Sequence, residues 1–291
     1  MVIKIENENL VVEINQLGAE LFSIKSKKTD TEYLWQGNSE YWAGRAPVLF
    51  PVCGRMTDGK YFYKNKEYPM PIHGFAKLFE FECDMKSNSK VELILNSNEQ
   101  TKEYYPFDFK FVMTYELIEN TLKITHQIIN NDNQDMYFSF GAHPGFNVPF
   151  VDGEKFEDYY IEFSKDCLDE IVFSQKCYYT GEMRKLSIPS KKLNLSHDLF
   201  NIDARFFETD TDSVYLKSTK SDRSIKVTYQ DMTCLGLWHK PRTDAPYVCI
   251  EPWHGVPADD GKIDDLQTKR QMIILSKQDC YTNSYQIQIN D

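Results

Sequence analysis

Regular alternation of apolar and polar side chains constrains this chain more than any other feature. Across residues 109–117 every odd-numbered position is apolar, and after a polar turn at 119–121 the alternation resumes at 122–125. Successive side chains of a strand point to opposite faces of a sheet. The spacing therefore predicts an antiparallel hairpin with one buried face on each strand.

Similar short runs recur along the whole chain, whereas helical periodicity is confined to two short stretches, 97–105 and 196–200. The strand-like runs are residues 10–14, 91–95, 159–163, 214–216, 225–229, 233–238, 247–251, 272–275 and 285–289. Aromatic residues, which favour pleated surfaces, make up 14% of the sequence. No linker rich in Pro, Gly or Ser divides the chain. We predict one all-β domain over residues 1–291, built of packed, mostly antiparallel sheets.

Charge and cysteine content limit the cellular compartment and the binding partners that can be expected. The chain carries 33 Lys and Arg against 44 Asp and Glu, a formal net charge of −11. Such an acidic surface repels nucleic acid and anionic membranes. The seven cysteines form no CxxC pair, and the first residues lack the pattern of a secretory signal. We expect free thiols, a cytoplasmic location, and no nucleic-acid or membrane partner.

Four segments interrupt the alternation with dense Pro, Gly, His, Arg and Trp. They are residues 44–55 (GRAPVLFPVCGR), 71–77 (PIHGFAK), 141–146 (GAHPGF) and 250–257 (IEPWHGVP). Residues that stiffen or bend the backbone beside titratable side chains are typical of a site that must hold its geometry.

Three titratable residues in these segments are candidates for proton transfer. Glu251 follows an apolar run and precedes a proline, so we expect it where a strand leaves the sheet, either as a general base or as a rim carboxylate in a salt bridge. His143 and His73 each adjoin glycine and could exchange protons near neutral pH. The alternative for each histidine is a hydrogen bond to loop backbone.

Other residues could bind a substrate or support different chemistry. Arg45 and Arg55 could hold hydroxyls or a phosphate, or form structural ion pairs. Trp42, Trp238 and Trp253 could stack on a sugar or pack in the core. The set of His73, His143 and Glu251 resembles a two-histidine, one-carboxylate metal site but lacks close ligand spacing. A nucleophilic thiol at Cys53 is a further alternative. There is no phosphate loop and no dinucleotide fingerprint.

Taken in order, the four segments resemble motifs of the aldose 1-epimerase (galactose mutarotase) family, and most closely its LacX-like branch. The motifs are Gly-Arg, His-Gly-Phe, His-Pro-Gly-Phe and Glu-Pro-Trp-x-Gly. The resemblance implies a galactose mutarotase-like β-supersandwich, no obligatory cofactor, a monomer or homodimer, and interconversion of the α and β anomers of a free aldose or sugar phosphate.

The resemblance also implies roles for individual residues. Glu251 matches the general base, His143 the general acid and His73 a second active-site histidine. The implied substrate-binding residues are Arg55, Asp203, Arg45 and Lys77, to which the stacking candidates Trp253 and Trp238 are added on the chemistry of their side chains. Arg45 and Lys77 are similar to phosphate-binding residues of the hexose-6-phosphate branch. Met-Thr-Asp-Gly stands at 56–59 where typical galactose mutarotases have Asn-Arg, so galactose in particular is not implied.

The residue types suit the chemistry of ring opening. One proton must leave the anomeric hydroxyl and one must reach the ring oxygen, which a carboxylate base and an imidazolium acid on opposite sides of the ring would achieve. An anionic Glu251 would in turn favour a protonated His143. The competing hypotheses are a non-catalytic sugar-binding protein on the same fold and a metal-dependent isomerase or lyase.

Overall fold

Antiparallel strands account for nearly all regular structure in the computed structural model, which describes residues 1–209 and 211–291. In chain order the strands are β1 (Val2–Glu6), β2 (Leu10–Asn15), β3 (Glu20–Ser26), β4 (Val48–Leu49), β5 (Lys60–Tyr63), β6 (Lys66–Pro69), β7 (Glu82–Ser87), β8 (Lys90–Asn96), β9 (Phe109–Ile118), β10 (Thr121–Asn130), β11 (Met136–Phe138), β12 (Phe140–Ala142), β13 (Gly145–Asn147), β14 (Tyr159–Glu162), β15 (Cys167–Phe173), β16 (Tyr179–Ser187), β17 (Lys192–Asn194), β18 (Arg205–Glu208), β19 (Ser213–Ser218), β20 (Ser224–Tyr229), β21 (Cys234–Trp238), β22 (Tyr247–His254), β23 (Ile273–Leu275) and β24 (Cys280–Asn290).

Two large sheets dominate the fold. One has nine strands in the order β17-β14-β19-β20-β24-β10-β9-β8-β7. The other has the order β16-β15-β18-β21-β22-β12-β4, with β13 also paired to β22. Three small sheets are formed by β1-β2-β3, β5-β6 and β11-β23. This confirms the predicted all-β class with mostly antiparallel sheets.

The hairpin that the alternation predicts lies inside the nine-stranded sheet, next to its central strand β24. Its two strands, β9 and β10, pair in register from Thr121 opposite Ile118 to Asn130 opposite Phe109. Along β10 every second side chain is buried, including Ile124 and His126. Burial of one face by this alternation anchors the register, because a slip of one residue would expose the whole apolar set.

Helices are short. The α-helix α1 (Glu99–Tyr104) begins at an Asn98 cap, whose side chain accepts a hydrogen bond from the Thr101 backbone N–H. Short 3-10 helices lie at Thr57–Gly59, Ala76–Leu78, Phe156–Asp158, Pro189–Lys191 and His197–Phe200. Both helical stretches that the sequence predicts are therefore present. Within the two described ranges, none of the helices has the length and apolar character needed to cross a membrane.

The strand β22 is the most deeply enclosed of the eight-stranded sheet. Every residue from Tyr247 to Trp253 is buried, so both faces of this strand are covered. It pairs along its length with β21 and on its other side with β12 and β13. Glu251 lies inside this strand, and the expectation that it sits where a strand leaves the sheet is wrong.

Candidate active site

Strand register brings His143 and Glu251 together. Gly141 pairs with Trp253 and Gly145 pairs with Cys249. His143 is midway between Gly141 and Gly145, and Glu251 is midway between Cys249 and Trp253. The same register therefore places His143 opposite Glu251. Side chains that face each other across an antiparallel pair lie on the same face of the sheet. His143 Nε2 accordingly lies 3.3 Å from Glu251 Oε2.

Pro252 continues the strand because the N–H that it lacks would face away from β21. Ile250 donates its backbone N–H to the Pro144 carbonyl, so the N–H position two residues later faces the same neighbouring segment. The pairing with β21 therefore runs unbroken from Cys249 to Trp253. On the other side the register places Pro252 opposite Ala142, whose carbonyl accepts from the Trp253 indole N–H at 3.2 Å.

Burial sets the protonation of the pair. Glu251 is 1% exposed and His143 is 8% exposed. Burial raises the pKa of Glu251 well above 4.5, and the nearby negative charge of Asp203 raises it further. Burial also lowers the pKa of His143 to about 3. Removal from water disfavours the charged form of each group, so both shifts favour a carboxylic acid beside a neutral imidazole over an ion pair.

Both shifts run against the expected anionic Glu251 and protonated His143, because burial disfavours the charged form of each group. The two groups also lie side by side and not across a ring-sized gap. This proximity still suits ring opening, since the anomeric oxygen and the ring oxygen of an aldose are bonded to the same carbon. Two adjacent proton-transfer groups can reach both oxygens from one edge of the sugar.

His73 is held beside this pair by a turn that interlocks two of the four motif segments. Its backbone has a φ of 64°, and its N–H donates to the Gly54 carbonyl. The Gly54 N–H donates back to His73 Nδ1 at 3.2 Å. Gly74 follows with a φ of 77°, and a Cβ there would lie 2.0 Å from the Phe50 carbonyl oxygen. Only glycine fits such close backbone contact.

The ring of His73 packs edge-on against two members of the site, with centroid distances of 5.3 Å to both His143 and Trp253. Burial lowers the pKa of His73 well below 6.5, and neighbouring His143, Lys77 and Arg55 lower it further. Because Nδ1 accepts from Gly54, the neutral ring carries its proton on Nε2. His73 is therefore a neutral hydrogen-bond donor.

Asp203 is fixed by three donors. Its Oδ1 accepts from the Trp238 indole N–H at 2.9 Å and from the Ala204 backbone N–H at 2.9 Å. Its Oδ2 accepts from the Cys177 thiol at 3.0 Å. A carboxylate oxygen accepts about two hydrogen bonds, so Oδ1 is saturated and Oδ2 keeps one lone pair. The Cys177 contact was not predicted, and nothing in the local sequence around residue 177 signals it.

These residues line one cavity of about 470 Å³, a size suited to a small ligand. Glu251, His143, His73, Arg55, Asp203, Lys77, Trp253 and Trp238, all predicted from the sequence, lie in its wall together with Trp42, Phe206 and Cys177. Trp42 and Trp238 contact the His143 ring with centroid distances of 5.0 and 5.7 Å. The arrangement offers aromatic surface, a carboxylate acceptor and an acid–base pair.

Arg45, by contrast, lies outside the lining of this cavity. Its guanidinium stacks on the Phe22 ring at 3.7 Å, and Nη1 donates to the Phe22 carbonyl and to Gln36 Oε1. Lys77 does line the cavity, but its Nζ donates to the Ile72 carbonyl at 2.6 Å. The two basic residues are therefore engaged with protein groups, and only Lys77 is near enough to contact a ligand.

Two alternatives from the sequence can be compared with this geometry. Cys53 is fully buried, and burial raises the pKa of its thiol well above 9, which disfavours the thiolate that a nucleophile needs. The residue that completes a possible metal-ligand cluster with His143 and Glu251 is Cys249 and not His73. Cys249 is not among the site residues that the sequence predicts. The sequence signal for Cys249 was its position two residues before Glu251 in an apolar, strand-like run, because side chains two residues apart on a strand share a face.

A second cavity of about 520 Å³ lies away from this site. Its wall includes Lys165, Asp169, Glu208, Asp231 and Gln271. It contains none of the residues that the sequence predicts for the site. The cavity around Glu251 is therefore the candidate active site.

Comparisons with known proteins agree with the geometry. A family model described as aldose 1-epimerase matches residues 1–259. The chain is 33% identical to the plasmid-encoded protein LacX of Lactococcus lactis subsp. lactis, over 99% of both chains. A solved structure of a galactose mutarotase-related enzyme from Lactobacillus acidophilus superposes with a TM-score of 0.93 at 33% identity, covering 100% of this chain and 98% of that one. A galactose mutarotase-like protein from Lactobacillus casei gives a TM-score of 0.93 at 29% identity, with both chains fully covered.

Proposed function

The chain belongs to the aldose 1-epimerase family, and on that premise we propose that it is a mutarotase that interconverts the α and β anomers of an aldose by general acid–base catalysis. The observation that carries the proposal is the buried contact of 3.3 Å between Glu251 and His143 at the wall of a cavity of sugar size. A protein that only bound sugar would have no use for two adjacent, buried proton-transfer groups.

The resting pair holds one exchangeable proton, on Glu251. Transfer of this proton across the 3.3 Å gap to His143 produces the carboxylate base and the imidazolium acid without exchange with solvent. Glu251 then takes the proton of the anomeric hydroxyl while His143 gives its proton to the ring oxygen, and the bond from C1 to that oxygen breaks. This step returns the pair to its neutral form, which burial favours.

Rotation about the bond between C1 and C2 then presents the other face of the aldehyde. The reverse transfers close the ring as the opposite anomer. Protons balance over the cycle, so the proposed reaction requires no cofactor. Each positioned proton-transfer group typically contributes roughly 10²–10⁴-fold to the rate.

The remaining residues are proposed to hold the sugar. Asp203 Oδ2 has one free lone pair and would accept from one sugar hydroxyl, while Nε2–H of His73 would donate to an oxygen of the ring or of a hydroxyl. The indoles of Trp238 and Trp253 offer apolar surface to the sugar ring. Arg55 is proposed as a further hydroxyl contact. Lys77 would be the cation available to a phosphorylated substrate.

We also propose that the chain acts as one domain in the cytoplasm. All seven cysteines are free thiols in the described chain, in keeping with a reducing environment. Asp291, after the last strand, accepts hydrogen bonds from Tyr33 and Thr29, so the C-terminal strand is fastened to the segment that follows β3.

Polarimetry tests the proposal. Freshly dissolved α-glucose, α-galactose and their 6-phosphates would be followed to equilibrium with and without purified protein. We expect acceleration of at least one sugar, and a loss of about 10²-fold or more in Glu251→Gln and His143→Asn. The exposed Glu8→Gln variant is the control and should keep full activity. Normal sugar binding with exchange at the buffer rate would instead identify a sugar-binding protein.

A further inference from the structure

Three different metal-ligating side chains meet beneath the candidate active site. Cys249 and Glu251 are two residues apart on β22, so their side chains share a face, and His143 lies opposite Glu251. One ligand atom from each of the three lies within 4.8 Å of the other two. All three residues are buried: Cys249 is 0% exposed, Glu251 1% and His143 8%.

The distances match the requirements of a zinc-type cation. Tetrahedral zinc bonds nitrogen and oxygen at about 2.0–2.1 Å, which separates two such ligands by roughly 3.3 Å. The observed distance between His143 Nε2 and Glu251 Oε2 is 3.3 Å. A zinc–thiolate bond of about 2.3 Å would require the Cys249 sulfur to approach the pair by at most about 1 Å. The cavity in front of the pair leaves room for a fourth ligand, such as water or a sugar hydroxyl.

Unpartnered buried atoms provide a second and independent observation. Glu251 Oε1 and His143 Nδ1 are both buried without a hydrogen-bond partner among the described residues. Buried polar atoms are normally paired, so each exception points to a group that the site accommodates. A cation bound between His143 Nε2 and Glu251 Oε2 lies next to Oε1, the second oxygen of the same carboxylate, and can take it as a further ligand. His143 Nδ1 lies on the other side of the ring and is not part of the proposed site.

We propose that Cys249, Glu251 and His143 form a binding site for a thiophilic divalent cation of the zinc class, and that its occupation blocks proton transfer by the Glu251–His143 pair. Binding converts the Cys249 thiol to a thiolate and ionises Glu251, and the protons pass to solvent. The lone pairs that bind the metal are those that the proposed anomer exchange uses. The cation is therefore an inhibitor and not a cofactor. The inhibitory effect rests on the proposed function, whereas the binding itself does not.

Cadmium titration tests the binding directly, because a cadmium–thiolate bond gives an ultraviolet charge-transfer band that requires no enzyme activity. The exposed thiols would first be removed in a Cys83→Ser, Cys167→Ser, Cys280→Ser background. In that protein we expect one cadmium ion per chain with a thiolate band. Adding Cys249→Ser should abolish the band and weaken zinc binding at least tenfold.

The matched control is Cys234→Ser. Cys234 is equally buried, lies on the adjacent strand β21, and its thiol donates to the Gly255 carbonyl at 3.1 Å. This variant should keep both the band and the zinc affinity. His143→Asn removes a ligand without altering any thiol, so it should lower zinc affinity even if the Cys249 variant fails to fold. A band of equal strength in Cys249→Ser, or unchanged zinc affinity in His143→Asn, would overturn the proposed site.

A second experiment measures how zinc affects the proposed anomer exchange. Zinc should slow anomer exchange reversibly, excess chelator should restore it, and Cys249→Ser should resist the inhibition. Activity that rises with zinc and disappears on chelation would contradict the inhibitory role. If no sugar is turned over at all, the proposed function fails while the cadmium result still decides the metal site.

Discussion

Replacing Glu251 by glutamine should stabilise the folded protein, and the gain should grow with pH. In the unfolded chain this glutamate ionises near its ordinary pKa of 4.5, whereas burial and the charge of Asp203 hold the pKa of the folded state well above that value. Between these two pKa values the folded state binds one proton more than the unfolded state. The free energy of unfolding therefore falls as pH rises through this window.

The size of the effect follows from linkage. One extra proton in the folded state makes the free energy of unfolding fall by about 1.4 kcal/mol for each pH unit inside the window. The unfolding entropy of a chain of 291 residues is roughly 0.6 kcal/mol/K. The melting temperature of Glu251→Gln minus that of the natural protein should thus increase by about 2 °C per pH unit. Glutamine keeps the shape of the side chain and has no charge to bury.

Thermal unfolding from pH 5 to pH 9, followed by circular dichroism, measures this difference. His143, with its low pKa, destabilises both proteins alike as pH falls below 6.5, and its contribution cancels in the comparison. The exposed Glu8→Gln variant should show a melting temperature difference that does not change with pH. If the difference for Glu251→Gln is also flat, the carboxyl group ionises without penalty and the argument from burial is wrong.

Three further predictions concern the site and the loops that support it. The acid limb of the pH profile of kcat/KM should lie far below 6.5, because burial lowers the pKa of His143 to about 3; a limb near 6.5 would indicate a solvated imidazole. Cys177→Ala should raise KM about fivefold, since loss of one donor to Asp203 costs about 1 kcal/mol, whereas Cys177→Ser should stay within about twofold. Gly74→Ala should lower the free energy of unfolding by about 3 kcal/mol, because both φ and backbone contact exclude a Cβ. Gly153→Ala, with a φ of 83° and open space around it, should lose only about 1 kcal/mol, and equal losses in chemical denaturation would refute the role of contact.

Local periodicity was sufficient to predict the class of the fold. The hairpin of β9 and β10 follows from alternation and one polar turn, because side-chain period and turn chemistry are properties of adjacent residues. Strand order is not such a property. The neighbours of β22 are β21 on one side and β12 and β13 on the other, and the second pairing joins segments far apart in the chain.

The position of Glu251 shows where a local rule failed. A proline after an apolar run normally marks the end of a strand because it lacks the N–H that a ladder needs. Here the N–H that Pro252 lacks would face the segment around His143 and not β21, so the pairing with β21 is unbroken and the strand continues to His254. Only the pairing partner, which local sequence does not specify, distinguishes these cases.

Candidate site residues were predicted unevenly for a similar reason. Motif resemblance selected six residues that line the cavity, and side-chain chemistry added Trp238 and Trp253. Arg45, from the same segment as Arg55, instead stacks on Phe22 outside the cavity. Adjacent motif positions share a segment but not a direction. Cys177 meets Asp203 only through the packing of β15, β16 and the turn before β18, and no sequence pattern predicts that contact.

The enclosure of β22 links the two proposals made for this protein. An exposed carboxylate and imidazole would each titrate near their ordinary pKa and would be charged in different pH ranges. Burial raises the pKa of Glu251 and lowers that of His143, and both shifts widen the pH range in which the neutral pair is favoured. The same enclosure leaves Glu251 Oε1 and His143 Nδ1 unpartnered, with a thiol behind them. A site that gains its proton-transfer chemistry by excluding water thereby also gains affinity for a cation that replaces those protons, so Cys249→Ser should separate metal sensitivity from catalysis.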